Sequence, residues 1–249
     1  MVTLFFSGTG NTKYIAENIS GKLNAVCHSI EDDIDFDSIM IDHDCICVCY
    51  PIYVSRSPLI FREFVIKHMK LFENKNLIIL VTQYMFSGDG ARSFTDIFPK
   101  NYFNVIYAEH FLMPNNICNF ALLRVKNGDE NADLIKITDK KINKICNDIK
   151  NSRIVKRGFN IFSQFIGLSQ CLYADNLLIK GKSSIVVDED CNRCGICVEN
   201  CPASNLALVD NKITHNNNCT VCYRCVNVCP EKAITAFINK KPKSQYHGI

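Results

Sequence analysis

Residues 2–14 read Val-Thr-Leu-Phe-Phe-Ser-Gly-Thr-Gly-Asn-Thr-Lys-Tyr. The first five form an apolar run of strand character, and Tyr14, Ile15, Ile19 and Leu23 then recur at helical spacing. Between strand and helix, Ser7-Gly8-Thr9-Gly10-Asn11-Thr12 offers backbone N–H groups and hydroxyls, and the helix start adds partial positive charge. Such a loop suits an anion, a phosphate above all. Two common phosphate ligands, NAD and ATP, fit poorly because of what the loop lacks. The third glycine of a dinucleotide fingerprint would fall at position 13, which is Lys, and no Lys-Ser/Thr pair of a P-loop follows. The plainer alternative is a polar strand-to-helix turn that Thr12 caps.

Strand and helix patterns keep alternating beyond this loop. Residues 44–50, DCICVCY, alternate and stop at Pro51; residues 76–81, NLIILV, are continuously apolar; residues 105–113 close at Pro114. Helical stretches fall at 58–71, 90–98 and 132–152. Strand–helix alternation predicts an α/β domain with a parallel sheet covered on both faces, whose ligands sit beyond the carboxyl ends of the central strands. Those ends carry Pro51-Ile52-Tyr53-Val54 and Thr82-Gln83-Tyr84-Met85-Phe86-Ser87-Gly88-Asp89-Gly90. Tyr53, Tyr84 and Phe86 offer flat apolar surfaces, and Gly88 and Gly90 permit sharp turns. Tyrosines that merely cover the sheet edge are the alternative. Cys45, Cys47 and Cys49 share one strand face and read as small buried hydrophobes, as do the isolated Cys27, Cys118, Cys146 and Cys171. The six histidines form no pattern with carboxylates or cysteines and are assigned no catalysis.

Ser7, Thr9, Gly10 and Thr12 match Thr/Ser-x-Thr-Gly-x-Thr, and the loop thereby resembles the phosphate-binding motif of flavodoxins. That resemblance implies a doubly wound, five-stranded parallel sheet of order 2-1-3-4-5. It also implies FMN, its monophosphate held by Ser7, Gly8, Thr9, Gly10, Asn11 and Thr12. The isoalloxazine ring would lie between Pro51, Ile52, Tyr53 and Val54 on one side and Thr82, Gln83, Tyr84, Phe86, Gly88, Asp89 and Gly90 on the other.

Eight of the 15 cysteines lie between 191 and 229 in two copies of Cys-x-x-Cys-x-x-Cys-x-x-x-Cys-Pro. Zinc sites pair two cysteines with a distant second pair and leave a third evenly spaced cysteine unused, so zinc and a disulfide framework are the weaker alternatives. The run resembles that of bacterial ferredoxins, where three cysteines hold one [4Fe-4S] cluster and the fourth crosses to the other. By that resemblance Cys191, Cys194, Cys197 and Cys229 hold one cluster, and Cys219, Cys222, Cys225 and Cys201 the second. Residues 184–187 and 233–237 are expected to pair as a small sheet, and 206–209 and 212–214 to flank a turn at Asp210-Asn211. The first copy reads as one residue longer than the second between its proline and the next apolar residue.

The organisation that follows is a flavodoxin-like domain at 1–152, a connector at 153–182, a small α+β two-[4Fe-4S] ferredoxin domain at 183–239 and a basic tail at 240–249. Net charge is +3 and uneven: 150–187 holds 6 basic and 1 acidic side chains, and 240–249 holds 3 basic and none acidic. A solvated linker explains this; the sharper reading lets Lys150, Arg153, Lys156 and Arg157 dock an acidic carrier protein. Phe159, Phe162, Phe165, Ile166 and Leu172 recur at helical spacing and predict a helix packed as an interdomain strut, with a membrane-surface helix as the alternative. No signal-like start and no apolar stretch of membrane length is present, so a cytoplasmic home is expected.

As a whole the chain resembles the flavodoxin-ferredoxin fusion proteins of clostridia and other anaerobes. The resemblance implies an electron carrier linking one- and two-electron donors and acceptors through FMN and the clusters. Its expected partners are redox proteins, a ferredoxin or a ferredoxin-dependent oxidoreductase, and not nucleic acid. A flavin-dependent reductase of a quinone, nitro compound or disulfide is the alternative, and a flavin-free cluster module a third.

Overall fold

A computed structural model describes residues 1–249 apart from Val54 and Ala121 and from the side chains of Leu168 and residues 171–175. Val54 as a ring contact, Cys171 as a packing residue and Leu172 as a strut contact therefore lie outside the described residues. The first domain runs β1 (Val2–Phe5), α1 (Asn11–Leu23), β2 (Val26–Ser29), α2 (Phe36–Ile41), β3 (Cys45–Pro51), α3 (Leu59–Lys67), β4 (Asn76–Gln83), β5 (Asn104–Leu112), α4 (Ala132–Lys150) and β6 (Val155–Lys156). The order 2-1-3-4-5 is present with a sixth strand added at its edge, every pair parallel.

That sixth strand comes from the start of the expected connector. Once α4 ends, Ser152 takes a left-handed turn, and Val155 and Lys156 pair with Tyr107 and Ala108. Arg153 bonds Asp148 at 3.2 Å and Arg157 bonds Glu109 at 3.3 Å. Two of the four basic side chains read as a docking patch thus fasten the sheet edge.

Alternation along the strands sorts the core onto two faces. Leu4, Ile46, Val48 and Ile79 pack with Phe61 and Val65 of α3. Phe5, Cys47, Cys49, Ile78 and Leu80 pack with Ile15 and Ile19 of α1 and with Ile142 and Ile145 of α4. Cys47 and Cys49 are wholly buried neighbours, as expected of packing residues. The stretch predicted helical at 90–98 is a 3-10 segment, Arg92–Ile97.

The second domain follows α5 (Ile161–Lys182). It contains β7 (Val186–Val187), α6 (Ile196–Glu199), β8 (Leu206–Val209), β9 (Lys212–His215), α7 (Arg224–Val228) and β10 (Ile234–Thr235). β7 pairs with β10, and β8 forms a hairpin with β9 through Asp210 and Asn211, both at positive φ, as such a tight turn requires. The sequence repeat is also a backbone repeat: Arg193, Gly195 and Ser204 take left-handed conformations, as do Val221, Tyr223 and Lys232 at the equivalent places. The expected extra residue is absent. Asn205 N donates to Cys201 Sγ at 3.2 Å as Ala233 N donates to Cys229 Sγ at 3.3 Å, and buried Asn205 occupies the place of Ala233.

The connector helix packs by a different face from the one expected. Ser163, Gly167 and Leu178 of α5 are buried, whereas Phe162 and Phe165 are each 72% exposed. The cause is steric. Gly167 lies so close to Asp89 that any side chain there would strike the carboxylate, so the small residues turn inward and the aromatics outward. Among the described residues no helix is long and apolar enough to cross a membrane.

Candidate functional site

The strand ends of the first domain open on a cavity of about 320 Å³. One side is the loop between β1 and α1. Gly10 there has φ 101°, reachable without strain by glycine alone, and Ser7 Oγ accepts from its N–H at 3.1 Å. Thr12 Oγ1 and Thr82 Oγ1 share a buried hydrogen bond of 2.7 Å, which fastens the start of α1 to the end of β4. Ser7, Gly8, Thr9, Asn11 and Thr12 line the cavity; Gly10 borders an open groove on the loop's other flank.

Pro51, Ile52, Tyr53, Thr82, Gln83 and Tyr84 form a second side. The rest of the predicted ring-binding loop lies elsewhere. Phe86 is exposed, Gly88 packs on the backbone of α5, Asp89 is wholly buried against Arg92, and Gly90 packs on Ile52. Gly88 and Asp89 lie against the small face of α5, and none of the four lines the cavity.

Sequence reasoning missed the remaining walls. Met113, Pro114, Asn116 and Ile117 follow β5, and the rule that ligands lie beyond strand carboxyl ends covers them as well. Leu177 comes from α5, and Val221, Tyr223 and Phe237 come from the second domain. No local signal marks those four, because they reach the cavity only once the domains dock.

The cysteine repeat surrounds two small hollows. Cys191, Cys194, Cys197 and Cys229 line one; Cys201, Cys219, Cys222 and Cys225 line the other. Each hollow thus takes three cysteines from one copy of the repeat and the fourth from the other. Among the described residues no group of three or more His, Cys, Asp or Glu side chains is placed to hold a single metal ion. Burial pushes the Cys197 thiol up to about 11 and the Cys222 thiol up to about 12. A buried sulfur of this kind gives up its proton to a strong positive charge such as iron. Val221 N donates to Cys219 Sγ at 3.3 Å, adding to the amide donors that face Cys201 and Cys229.

Residues 2–149 match the family model of the flavodoxin domain. The chain belongs to the flavodoxin domain family. Residues 190–234 match the 4Fe-4S dicluster domain. A flavodoxin domain joined to a dicluster domain makes this an electron-transfer flavo-iron-sulfur protein, the first implying FMN and the second iron-sulfur clusters. Among solved structures, two-electron reduced flavodoxin of Megasphaera elsdenii is similar at 21% identity over 47% of this chain and 90% of its own, with TM-score 0.40. A flavoprotein of Lactobacillus acidophilus in complex with FMN has 15% identity over 44% and 91%, with TM-score 0.36. An NADPH-quinone reductase of P. pentosaceus has 17% identity over 57% and 98%, with TM-score 0.37. No curated protein matches the chain.

The flavodoxin domain and the dicluster domain meet at Gly8. A methyl group on Gly8 would stand 2.5 Å from Tyr53 Oη and 2.6 Å from the Cys222 carbonyl oxygen. Arg224, between Cys222 and Cys225, donates from Nη2 to Ser7 O at 2.8 Å and from Nε to Gly8 O at 3.0 Å, and grips both oxygens of Glu31 at 2.7 Å. A guanidinium fork of this geometry fixes orientation as well as distance. The residues fit a flavin: a glycine-walled loop for its phosphate, tyrosines for its ring, and a buried Tyr53 Oη with no hydrogen-bond partner among the described residues. Burial, with the Cys222 sulfur adding to it, holds the Tyr53 phenol protonated well above its ordinary range.

Proposed function

We propose that the chain passes electrons between two [4Fe-4S] clusters and FMN, joining one-electron to two-electron redox partners. The observation that carries this reading is a shared wall. Val221 and Tyr223 border both the cavity of the flavodoxin domain and the hollow of Cys201, Cys219, Cys222 and Cys225. When bound, the flavin takes electrons singly or in pairs while each cluster passes one. Ser7, Gly8, Thr9, Gly10, Asn11 and Thr12 would hold its phosphate, and Ile52, Tyr53, Gln83 and Tyr84 would flank its ring. Cys191, Cys194, Cys197 and Cys229 would hold one cluster, and Cys201, Cys219, Cys222 and Cys225 the other.

Exposure supports different tasks for the two cysteine sets. Cys194 is exposed, whereas Cys219, Cys222 and Cys225 are buried. A redox protein partner, a ferredoxin or a ferredoxin-dependent oxidoreductase, would meet the set that holds Cys194. The other set is the neighbour of the flavin.

A reductase of a quinone, nitro compound or disulfide needs space for a second small molecule beside the flavin. At about 320 Å³ the cavity lies near the lower end of the usual range of about 300–1,000 Å³, and protein from both domains walls it. That favours the carrier. The test is an anaerobic spectroelectrochemical titration with iron and flavin measured on the same sample. About eight irons and one FMN per chain, with reduced clusters passing electrons to the flavin, is the expected result. Protein that holds its iron but takes up no added FMN removes the reading, and steady turnover of a small acceptor replaces it with the reductase.

A further inference from the structure

The basic tail is not a solvated appendage. Gln245 and Tyr246 are buried, and residues 245–248 lead from the cysteine-bearing helix back to the phosphate loop. Gln245 Nε2 donates to Val226 O at 2.9 Å and to Cys229 O at 2.7 Å. Tyr246 N donates to Asn227 Oδ1 at 2.7 Å. Asn127 holds the next peptides, its Nδ2 donating to Gln245 O at 2.8 Å and its Oδ1 accepting from His247 N at 3.1 Å. At the far end a methyl on Gly248 would stand 3.6 Å from the Thr9 carbonyl oxygen, and one on Gly10 would stand 3.8 Å from Gly248 Cα.

The key contact is with Asn11. Tyr246 Oη donates to Asn11 Oδ1 at 2.5 Å, while Asn11 Nδ2 donates to Pro114 O at 2.9 Å. Both ends of the Asn11 amide are thus committed, and Asn11 is the first residue of α1, where backbone N–H groups lack intrahelical partners and face an anion. We infer that residues 245–248 form part of the flavin phosphate site, with Tyr246 as the positioning residue that sets Asn11 and through it the phosphate loop. The inference rests on the reading that the cavity takes FMN. Asn11 opens the helix whose free N–H groups would meet the phosphate, so affinity depends on how firmly the loop amides are aimed. Here a segment from outside the domain supplies that firmness.

Phosphate chemistry also supplies the discriminating probe, because riboflavin is the same ring without the phosphate. Affinities of FMN and of riboflavin are measured by fluorescence titration of flavin-stripped, iron-replete protein, for the native chain and for Tyr246→Phe. The variant keeps ring volume and removes one hydroxyl, and iron content checks that the dicluster domain is intact. A rise of about tenfold in the FMN dissociation constant, with riboflavin binding unchanged, is the expected result. Equal weakening of both ligands means that Tyr246 is merely structural and overturns the inference, as does no change in either. Failure of the native chain to bind FMN removes the functional reading itself and the inference with it.

Discussion

In the flavodoxin domain Leu4, Ile46, Val48 and Ile79 are wholly buried and enclosed by helices on either side of the sheet; around the repeat, Cys197, Cys219, Cys222, Cys225 and Cys229 are themselves much of the buried surface. The sheet is held by aliphatic burial at roughly 25 cal/mol per Å². The second domain has few large apolar residues to bury, and its β-strands run to two or four residues. A domain that small needs a staple. The difference teaches that the larger half folds on its own sequence, and the smaller half on what its cysteines bind. Iron removal is the largest perturbation that tests this. After anaerobic chelation, amide protection should vanish across residues 185–236 and persist in β1, β3 and β4 by hydrogen exchange. Protection that survives in both regions breaks the comparison.

The converse perturbation acts on the sheet. Phe61 is wholly buried, with its ring centroid 5.2 Å from that of Tyr50 and 6.1 Å from that of Phe94. Phe61→Ala should cost the flavodoxin domain about 3–5 kcal/mol, seen as a lower urea midpoint for loss of sheet structure. Native protein should still carry its full iron. Iron lost on purification of this variant would mean that the two halves fold as one unit.

A smaller effect depends on pH and belongs to the first region alone. His110 lies at the end of β5, with Nε2 accepting from Ala91 N at 3.2 Å, and burial holds its pKa down at about 4. Nearby Glu109 opposes that shift, while Arg157 and Lys141 reinforce it. The unfolded chain binds a proton here below about 6.5, and the folded chain does not until about 4. Stability from this group is therefore complete above about 6.5 and is lost as pH falls toward about 4, a total of about 3 kcal/mol. An NMR titration of the imidazole should show His110 neutral at pH 5. Titration near 6.5 would mean that the β5 end is open to water.

Legibility followed the same division between local and assembled structure. Ser7, Gly8, Thr9, Asn11 and Thr12 could be read as one wall because strand, loop, hydroxyls and helix start are consecutive, whereas the grouping of the cysteines came from the resemblance to ferredoxins. Gly88 and Asp89 lie against Gly167 of α5, 77 residues beyond Gly90, a contact that no local signal in the loop announces. Periodicity predicted the α5 helix but could not say which face packs, since Ser163 and Gly167 carry no hydrophobic signal. Val221, Tyr223, Phe237 and Tyr246 were invisible as site residues: each is an ordinary apolar or aromatic side chain until the domains dock.

The gentlest change works at Gly8, a point where both regions touch. Gly8→Ala would set a methyl 2.5 Å from Tyr53 Oη, 2.6 Å from Cys222 O and 3.1 Å from Cys222 Cβ. Overpacking of this kind costs about 1–3 kcal/mol and is relieved by small backbone shifts. Cys222 belongs to the hollow beside the cavity, whereas Cys191, Cys194, Cys197 and Cys229 line the other hollow. Electron paramagnetic resonance of the reduced variant should therefore show one cluster signal altered and the other unchanged. If both signals change, strain travels through the whole dicluster domain. If neither does, the junction yields on the tyrosine side, and Tyr53 rather than Cys222 is the softer neighbour of the phosphate loop.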